Sequence, residues 1–115
     1  MLHIGLHFAV PVLVAWVFYR PRWTSAGLIL LATMVVDLDH LAANPVYDPE
    51  RCSIGFHPLH TAPAVVLYAL LLLAPVLTRL ADEVPRQWAN PLRSIHLIGL
   101  GLLIHMALDA LDCAL

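Results

Sequence analysis

The sequence predicts an all-α fold, an integral membrane bundle of four antiparallel transmembrane helices. The 115-residue chain is 61% hydrophobic and 12% charged, with a mean hydropathy of +0.82. These values are too apolar for an ordinary soluble domain of this size. Four apolar runs, each long enough to cross a bilayer, alternate with short polar connections. We expect one domain, 1–115, with helices over about 2–19, 25–43, 59–78 and 94–114.

The first run is expected to be a retained helix rather than a cleaved signal. It lacks a basic start, and Pro11 and Trp16 lie where a signal peptide carries its small-residue cleavage site. The short segment 20–25 then forms a tight turn that makes helices one and two antiparallel, with a serine or threonine to cap helix two.

The second connection, 44–58, is rich in proline and polar residues and should be irregular. Pro58 disfavours helical geometry at the residue before it and suits the first position of a helix. His57 is therefore predicted just before helix three, and His60 in its first turn.

Charge distribution predicts orientation and excludes one class of partner. The formal net charge is −2 and the chain has no lysine, so no basic tract suggests a nucleic-acid surface. Arginines are concentrated in connections one and three, and a single one, Arg51, lies in connection two. By the positive-inside rule, both termini should lie on the non-cytoplasmic side of the membrane. Cys52 and Cys113 then share that side, as a disulfide or as two free thiols.

Ten ionisable residues should converge on one end of such a bundle, because alternate helices run in opposite directions. They lie at the start of helices one and three and at the end of helices two and four: His3, His7, Asp37, Asp39, His40, His57, His60, His105, Asp109 and Asp112. Only His96 falls at the opposite end, as an interfacial residue rather than a ligand.

Helical spacing refines this convergence. Asp37 and His40 are three residues apart, and His105 and Asp109 are four apart, so each pair shares a helical face. Asp39 is about 200° around an α-helix from Asp37. It is predicted to support a ligand, or to act as one from a distorted helix end.

Imidazole nitrogens and carboxylate oxygens are ligands for zinc, manganese and iron, and a divalent ion would neutralise carboxylates at membrane depth. The metal ligands are expected among His3, His7, Asp37, His40, His57, His60, His105 and Asp109. This exceeds what one zinc ion needs. Two ions, or one ion with supporting groups, remain open.

The motifs resemble the membrane-bound metal-dependent hydrolase family, also described as LexA-binding and inner-membrane-associated. The resemblance rests on His3-x-x-x-His7, Val36-Asp37-Leu38-Asp39-His40, Phe56-His57-Pro58-Leu59-His60-Thr61 and the segment from His105 to Asp109. The family's middle motif has a His-Arg pair and then Thr-His-Ser, where this chain has His57-Pro58 and His60-Thr61. The resemblance implies a multi-pass protein of the bacterial inner (cytoplasmic) membrane.

The expected activity is hydrolysis of a phosphoester or ester in a lipid-like substrate, assisted by zinc. Asp37, Asp39 and Asp109 are the candidate catalytic carboxylates, and Arg51 would hold a substrate phosphate. Alternatives are a metal-ion or proton transporter, which needs polar groups continuing to the other face, and a non-catalytic membrane interaction protein. The lipid bilayer is the expected partner, and self-association into a homo-oligomer is left open.

Overall fold

The structure, a computed structural model, is an all-helical arrangement that measures 48 × 28 × 22 Å. It describes residues 2–20, 22–42, 52, 54–55, 57–81 and 89–114. Four α-helices and two 3₁₀ segments follow in order: α1 Leu2–Phe18, α2 Trp23–Ala32, η1 Thr33–Ala42, η2 Pro58–His60, α3 Ala62–Ala81 and α4 Ala89–Ala114.

Helix α4 is the central element, packing against α1, α2, α3 and η1. Two glycines allow this on two sides of the helix. A β-carbon at Gly99 would collide with the backbone of α3, at Leu72 N and 2.7 Å from Tyr68 O. A β-carbon at Gly101 would lie 2.5 Å from Thr33 Oγ1 of η1. The absence of side chains at both positions therefore lets three elements approach the same helix closely.

Two apolar clusters form the core. One joins α1, α2 and α4 through Ala15, Ala26, Leu30 and Leu97, and the other joins η1, α3 and α4 through Val36, Tyr68 and Met106. Burying such side chains contributes about 1.5–3 kcal/mol each for the larger ones. The second cluster fixes η1 against α4.

The segment η1 runs for ten residues as a 3₁₀ helix, much longer than the three or four residues usual for this conformation. With three residues per turn, its side chains fall into three rows. The inward row is Thr33, Val36 and Asp39, the middle row includes Met34 and Asp37, and the outward row is Val35, Leu38 and Leu41. Burial follows this three-residue period along the segment.

The sequence predicts one helix over 25–43, but the α-helix ends at Ala32 and the 3₁₀ conformation replaces it. Thr33 Oγ1 donates a hydrogen bond to Leu30 O, which ties a side chain to the last α-helical turn. Val35 and Val36 follow at once, and β-branched residues crowd an α-helix. These features give a local reason for the change of helix type.

The prediction of four transmembrane helices is wrong. Within the described residues, only α4, with 26 residues, is long and apolar enough to cross a membrane. The apolar part of α1, Ile4–Phe18, and that of α3, Ala62–Thr78, are too short, and α2 has ten residues. Hydropathy had been read as one continuous helix per apolar run, whereas the chain changes conformation within or beside these runs. The multi-pass localisation that rested on four spans falls with them.

A disulfide joins Cys52 to Cys113, with a Cα–Cα distance of 5.4 Å. This answers the question that the sequence left open between a bonded pair and free thiols. Cys113 lies one helical turn beyond Asp109 on α4, while Cys52 belongs to the connection between η1 and η2. The bond therefore attaches that connection to the carboxyl end of α4.

We expect Gly99→Ala to lower the free energy of unfolding by about 1–3 kcal/mol, because the new methyl group meets the backbone of α3. Gly5→Ala is the matched control, since a β-carbon at Gly5 has no neighbour within 4 Å. It should be neutral or stabilise α1 by about 0.5–1 kcal/mol. Chemical denaturation measures both values. Equal effects at the two positions would contradict the packing described for α4.

We expect replacement of both cysteines by serine to destabilise the fold by about 2–4 kcal/mol, since the disulfide closes a connection of 61 residues. Thermal unfolding with and without a reductant measures this effect. The reductant should lower the melting temperature of the wild type and leave that of the double variant unchanged. A wild type that is insensitive to reductant would contradict the bond.

Candidate metal centre

Two imidazoles and two carboxylates meet at the end of the molecule that contains η1 and η2. Asp37, His60, His105 and Asp109 each offer one ligand atom, and these four atoms all lie within 4.8 Å of one another. The group is the set of metal-ligand type found among the described residues. It can hold a single metal ion.

Three separate elements bring this group together. Asp37 comes from the middle row of η1, and His60 is the last residue of η2. His105 and Asp109 lie one turn apart on the same face of α4, four residues from each other. Residues distant in sequence therefore supply the site, and only the packing of η1 and η2 on α4 completes it.

The distances within the group suit a four-coordinate ion. His105 Nε2 lies 2.9 Å from Asp37 Oδ1 and 3.3 Å from Asp109 Oδ2. His60 Nε2 lies 3.0 Å from Asp109 Oδ2 and 3.6 Å from Asp37 Oδ1. Neighbouring ligands of a tetrahedral zinc ion are separated by about 3.3 Å, given metal–ligand distances of about 2.0–2.1 Å. The donor set and its spacing thus fit one tetrahedral ion.

Asp39 orients one of the ligands rather than joining the group. Its Oδ2 accepts hydrogen bonds from the backbone N–H of Leu59 at 2.8 Å and from Nδ1 of His60 at 3.1 Å. With the proton on Nδ1, the lone pair of His60 Nε2 is directed at the other ligand atoms. Carboxylates commonly hold metal-binding histidines in this way, and they raise the basicity of the ligand.

His7 contacts the same group from α1. Its Nε2 lies 3.1 Å from Asp109 Oδ1, so the two oxygens of Asp109 have different neighbours. The rings of His7 and His105 meet edge to face, with centroids 4.4 Å apart. His7 therefore fixes the rotation of the Asp109 carboxylate, and it contacts His105, whose Nδ1 is buried without a hydrogen-bond partner among the described groups.

Burial differs sharply across the group. The side chains of His60, His105 and Asp109 are 0%, 3% and 5% exposed, whereas that of Asp37 is 40% exposed. The group consequently opens to the outside along Asp37. A molecule approaching the site would meet this carboxylate first.

The carboxylates govern the charge of His60. Burial by itself lowers the pKa of His60, but hydrogen bonds to Asp109, Asp37 and Asp39 outweigh it and raise the pKa to about 10. Without a metal ion, the imidazole thus carries a proton at neutral pH and pairs with these acids. A metal ion that bound at Nε2 would displace that proton.

Backbone and tyrosine hydrogen bonds fix η2, which carries His60. The N–H of His60 donates to His57 O, and the N–H of Gly55 donates to His60 O, both at 2.9 Å. Tyr68 of α3 donates its hydroxyl to Leu59 O at 2.8 Å. Sequence reasoning missed this tyrosine. The available signal was a polar hydroxyl within an apolar run, which requires a partner when it is buried.

The other predicted site residues have different positions. His57 is buried and its ring centroid lies 5.6 Å from that of His60, but it is not one of the four ligands. The side chains of His3 and His40, and the whole of Arg51, lie outside the described residues. His96 lies apart from the group, where its Nδ1 is 2.8 Å from Leu72 O and its Nε2 is 2.7 Å from the hydroxyl of Tyr19.

Comparison with known proteins gives a family without an assigned activity. No curated protein matches the chain, and no solved structure matches it. The model of one family matches residues 1–83, a stretch that includes Asp37, Asp39 and His60 and ends before α4. That stretch is well over half of the 115 residues. The chain therefore belongs to the family of unknown function DUF6122.

Proposed function

We propose that the protein is a zinc-dependent hydrolase acting on a phosphoester or ester of a lipid-like substrate. The observation that carries this proposal is the group Asp37, His60, His105 and Asp109, three members of which are buried while one carboxylate faces the outside. A purely structural arrangement has no need for this asymmetry. The resemblance of the histidine and aspartate motifs to membrane-bound metal-dependent hydrolases supports the same reaction class.

The donor set favours zinc. Two imidazole nitrogens and two carboxylate oxygens at tetrahedral spacing are typical of zinc sites, whereas magnesium and calcium prefer six or more oxygen ligands. Both cysteines are bonded to each other and offer no thiolate. One ion suffices for the ligands that the described residues bring together.

The residues divide into those that hold the ion and one that faces the substrate. His60, His105 and Asp109 form a buried three-ligand set, supported by Asp39 and His7. Zinc bound there would lower the pKa of a water molecule and polarise the scissile group. Asp37 lies within hydrogen-bond distance of His105 Nε2 at the exposed side of the set, where it can accept a proton from an incoming water.

The surroundings of the opening support a lipid-like substrate. Val35, Leu38 and Leu41, the outward row of η1, are 61%, 60% and 68% exposed and flank Asp37 in sequence. Leu59, next to His60, is also 42% exposed. An apolar rim beside a polar site suits a molecule with a hydrocarbon part and an ester or phosphoester group.

One observation favours a second function, a non-catalytic metal centre that stabilises the fold. Zinc with four protein ligands is closed to substrate, and the four ligand atoms here would complete such a site. A transport role has less support, because the buried Ala15, Ala26, Leu30 and Leu97 separate this end from His96. The two remaining functions differ in what Asp37 does.

We expect Asp37→Asn to keep about one zinc ion per chain and to lower turnover by about 10²–10⁴-fold, the usual contribution of a general base. Asp109→Asn should lose the metal, because its carboxylate contacts three histidines. Elemental analysis of both purified variants measures the metal. Turnover is measured with p-nitrophenyl esters of short and long fatty acids and with bis(p-nitrophenyl) phosphate.

Loss of metal from both variants together, with no turnover by the wild type, would replace the hydrolase with the non-catalytic centre. A wild type that holds no zinc after exposure to the ion would overturn both functions. Full turnover by Asp37→Asn would contradict the role assigned to that carboxylate.

We expect Asp39→Asn to weaken zinc affinity by about 10–100-fold, because the neutral amide no longer fixes His60 as a carboxylate does. The exposed Asp112 provides a matched control, since Asp112→Asn removes the same charge outside the four-ligand group. Competition with a zinc-binding dye measures both affinities. Equal affinities for the Asp39 variant and the wild type would show that Asp39 does not position His60.

A further inference from the structure

An apolar groove runs along the outer face of α1, at a distance from the metal centre. Its volume is about 740 Å³, within the range of small-molecule sites. Phe8, Ala9 and Leu13 line its length, and the indoles of Trp16 and Trp23 line one end. From Gly5 to Trp16 the helix rises by about 16 Å, close to half of the roughly 30 Å hydrocarbon thickness of a bilayer. The groove thus has the length of one extended acyl chain.

A guanidinium group covers the tryptophan end of this groove. The Cζ atom of Arg20 lies 3.7 Å from the centroid of the Trp16 ring, and its Nε donates a hydrogen bond to Trp16 O at 2.9 Å. Its terminal nitrogens make no hydrogen bond to the described residues. They are available to an anion, and a guanidinium binds phosphate through paired N–H groups.

Two further arginines add positive charge at this end. Arg22 directly precedes Trp23 and is exposed. Arg93 of α4 reaches the start of α2, where it lies 3.3 Å from Ser25 Oγ and 3.3 Å from Arg22 O. Among the described residues, no carboxylate forms an ion pair with any of the three arginines. This concentration of unneutralised charge occurs in a chain with a net charge of −2.

We propose that the groove binds one acyl chain of an anionic phospholipid and that Arg20 holds its phosphate. The hydrocarbon chain covers the exposed faces of Phe8 and Leu13, which are 51% and 59% exposed without it. Arg22 and Arg93 give the site its preference for lipids with net negative charge. A second copy of the chain fits less well, because the same three arginines would repel their counterparts across a two-fold interface.

This site does not depend on the proposed hydrolase. The groove ends beside Arg20, at the carboxyl end of α1, whereas His7 contacts Asp109 near the amino end of that helix. A lipid bound here is therefore distinct from a substrate at the metal centre, and it is read out by different residues.

Tryptophan fluorescence provides a direct test, because bromine atoms on an acyl chain quench nearby indoles. The chain has three tryptophans, and Trp88→Phe leaves Trp16 and Trp23 as the reporters. This variant, in non-ionic detergent micelles, is titrated with phosphatidylglycerol or phosphatidylcholine that carries the same brominated chains. We expect half-maximal quenching at several-fold lower concentration for phosphatidylglycerol.

Three variants locate the site. Arg20→Gln should raise the half-maximal concentration for phosphatidylglycerol by about 5-fold, the effect of one arginine at a lipid surface, and leave phosphatidylcholine unchanged. Ala9→Leu, which fills the groove, should weaken quenching by both lipids. Arg51→Gln, the same charge change beyond the groove in sequence, should shift neither curve. Circular dichroism of each variant confirms that the helices are retained.

Equal quenching by the two lipids, or an equal shift in Arg20→Gln and Arg51→Gln, would overturn the proposal. Quenching that is unaffected by Ala9→Leu would place the lipid outside the groove. Shielding of both tryptophans that grows with protein concentration, in the absence of added lipid, would assign the groove to a second copy of the chain and would also overturn it.

Discussion

The buried carboxylate of Asp109 is the constraint on which the rest of the structure depends. One of its oxygens contacts His7 of α1, and the other contacts His60 of η2 and His105 of α4. A charge this far from water is tolerated only when it is paired, and removal of one partner of a buried pair typically costs about 3–5 kcal/mol. The helices must therefore deliver three imidazoles to a single carboxylate. The close contacts at Gly99 and Gly101, the 3₁₀ form of η1 and the hydrogen bonds of η2 all serve this arrangement.

How much of the site could be predicted follows from which arguments need local geometry alone. Antiparallel order and the four-residue spacing of His105 and Asp109 suffice to place Asp37, His60 and Asp109 at one end. The role of Asp39 needed more, because its position relative to Asp37 depends on helix type. In η1, with three residues per turn, Asp39 shares the inward row with Val36 and reaches His60. Nothing in the residue types alone states that a run of apolar residues leaves the α-helical conformation at Thr33.

The failure of the four-span prediction has a related cause. Hydropathy measures composition, whereas a span requires an unbroken helix of sufficient length. Apolar runs exist at all four places, yet α2 stops after ten residues and only α4 keeps the length that a crossing demands. The chain instead shows two ends of different chemistry. Histidines and carboxylates occupy one end, unpaired arginines and indoles occupy the other, and the apolar cluster around Leu30 and Leu97 lies between them.

X-ray absorption at the zinc edge of the zinc-loaded wild type tests the central claim most directly, because it reports the atoms bound to the metal. We expect four nitrogen or oxygen neighbours at about 2.0–2.1 Å, with the multiple-scattering signature of two imidazoles, His60 and His105. The imidazole count should fall to one in His105→Ala. Sulfur neighbours at about 2.3 Å, an octahedral shell of water or a spectrum unchanged in His105→Ala would contradict the site.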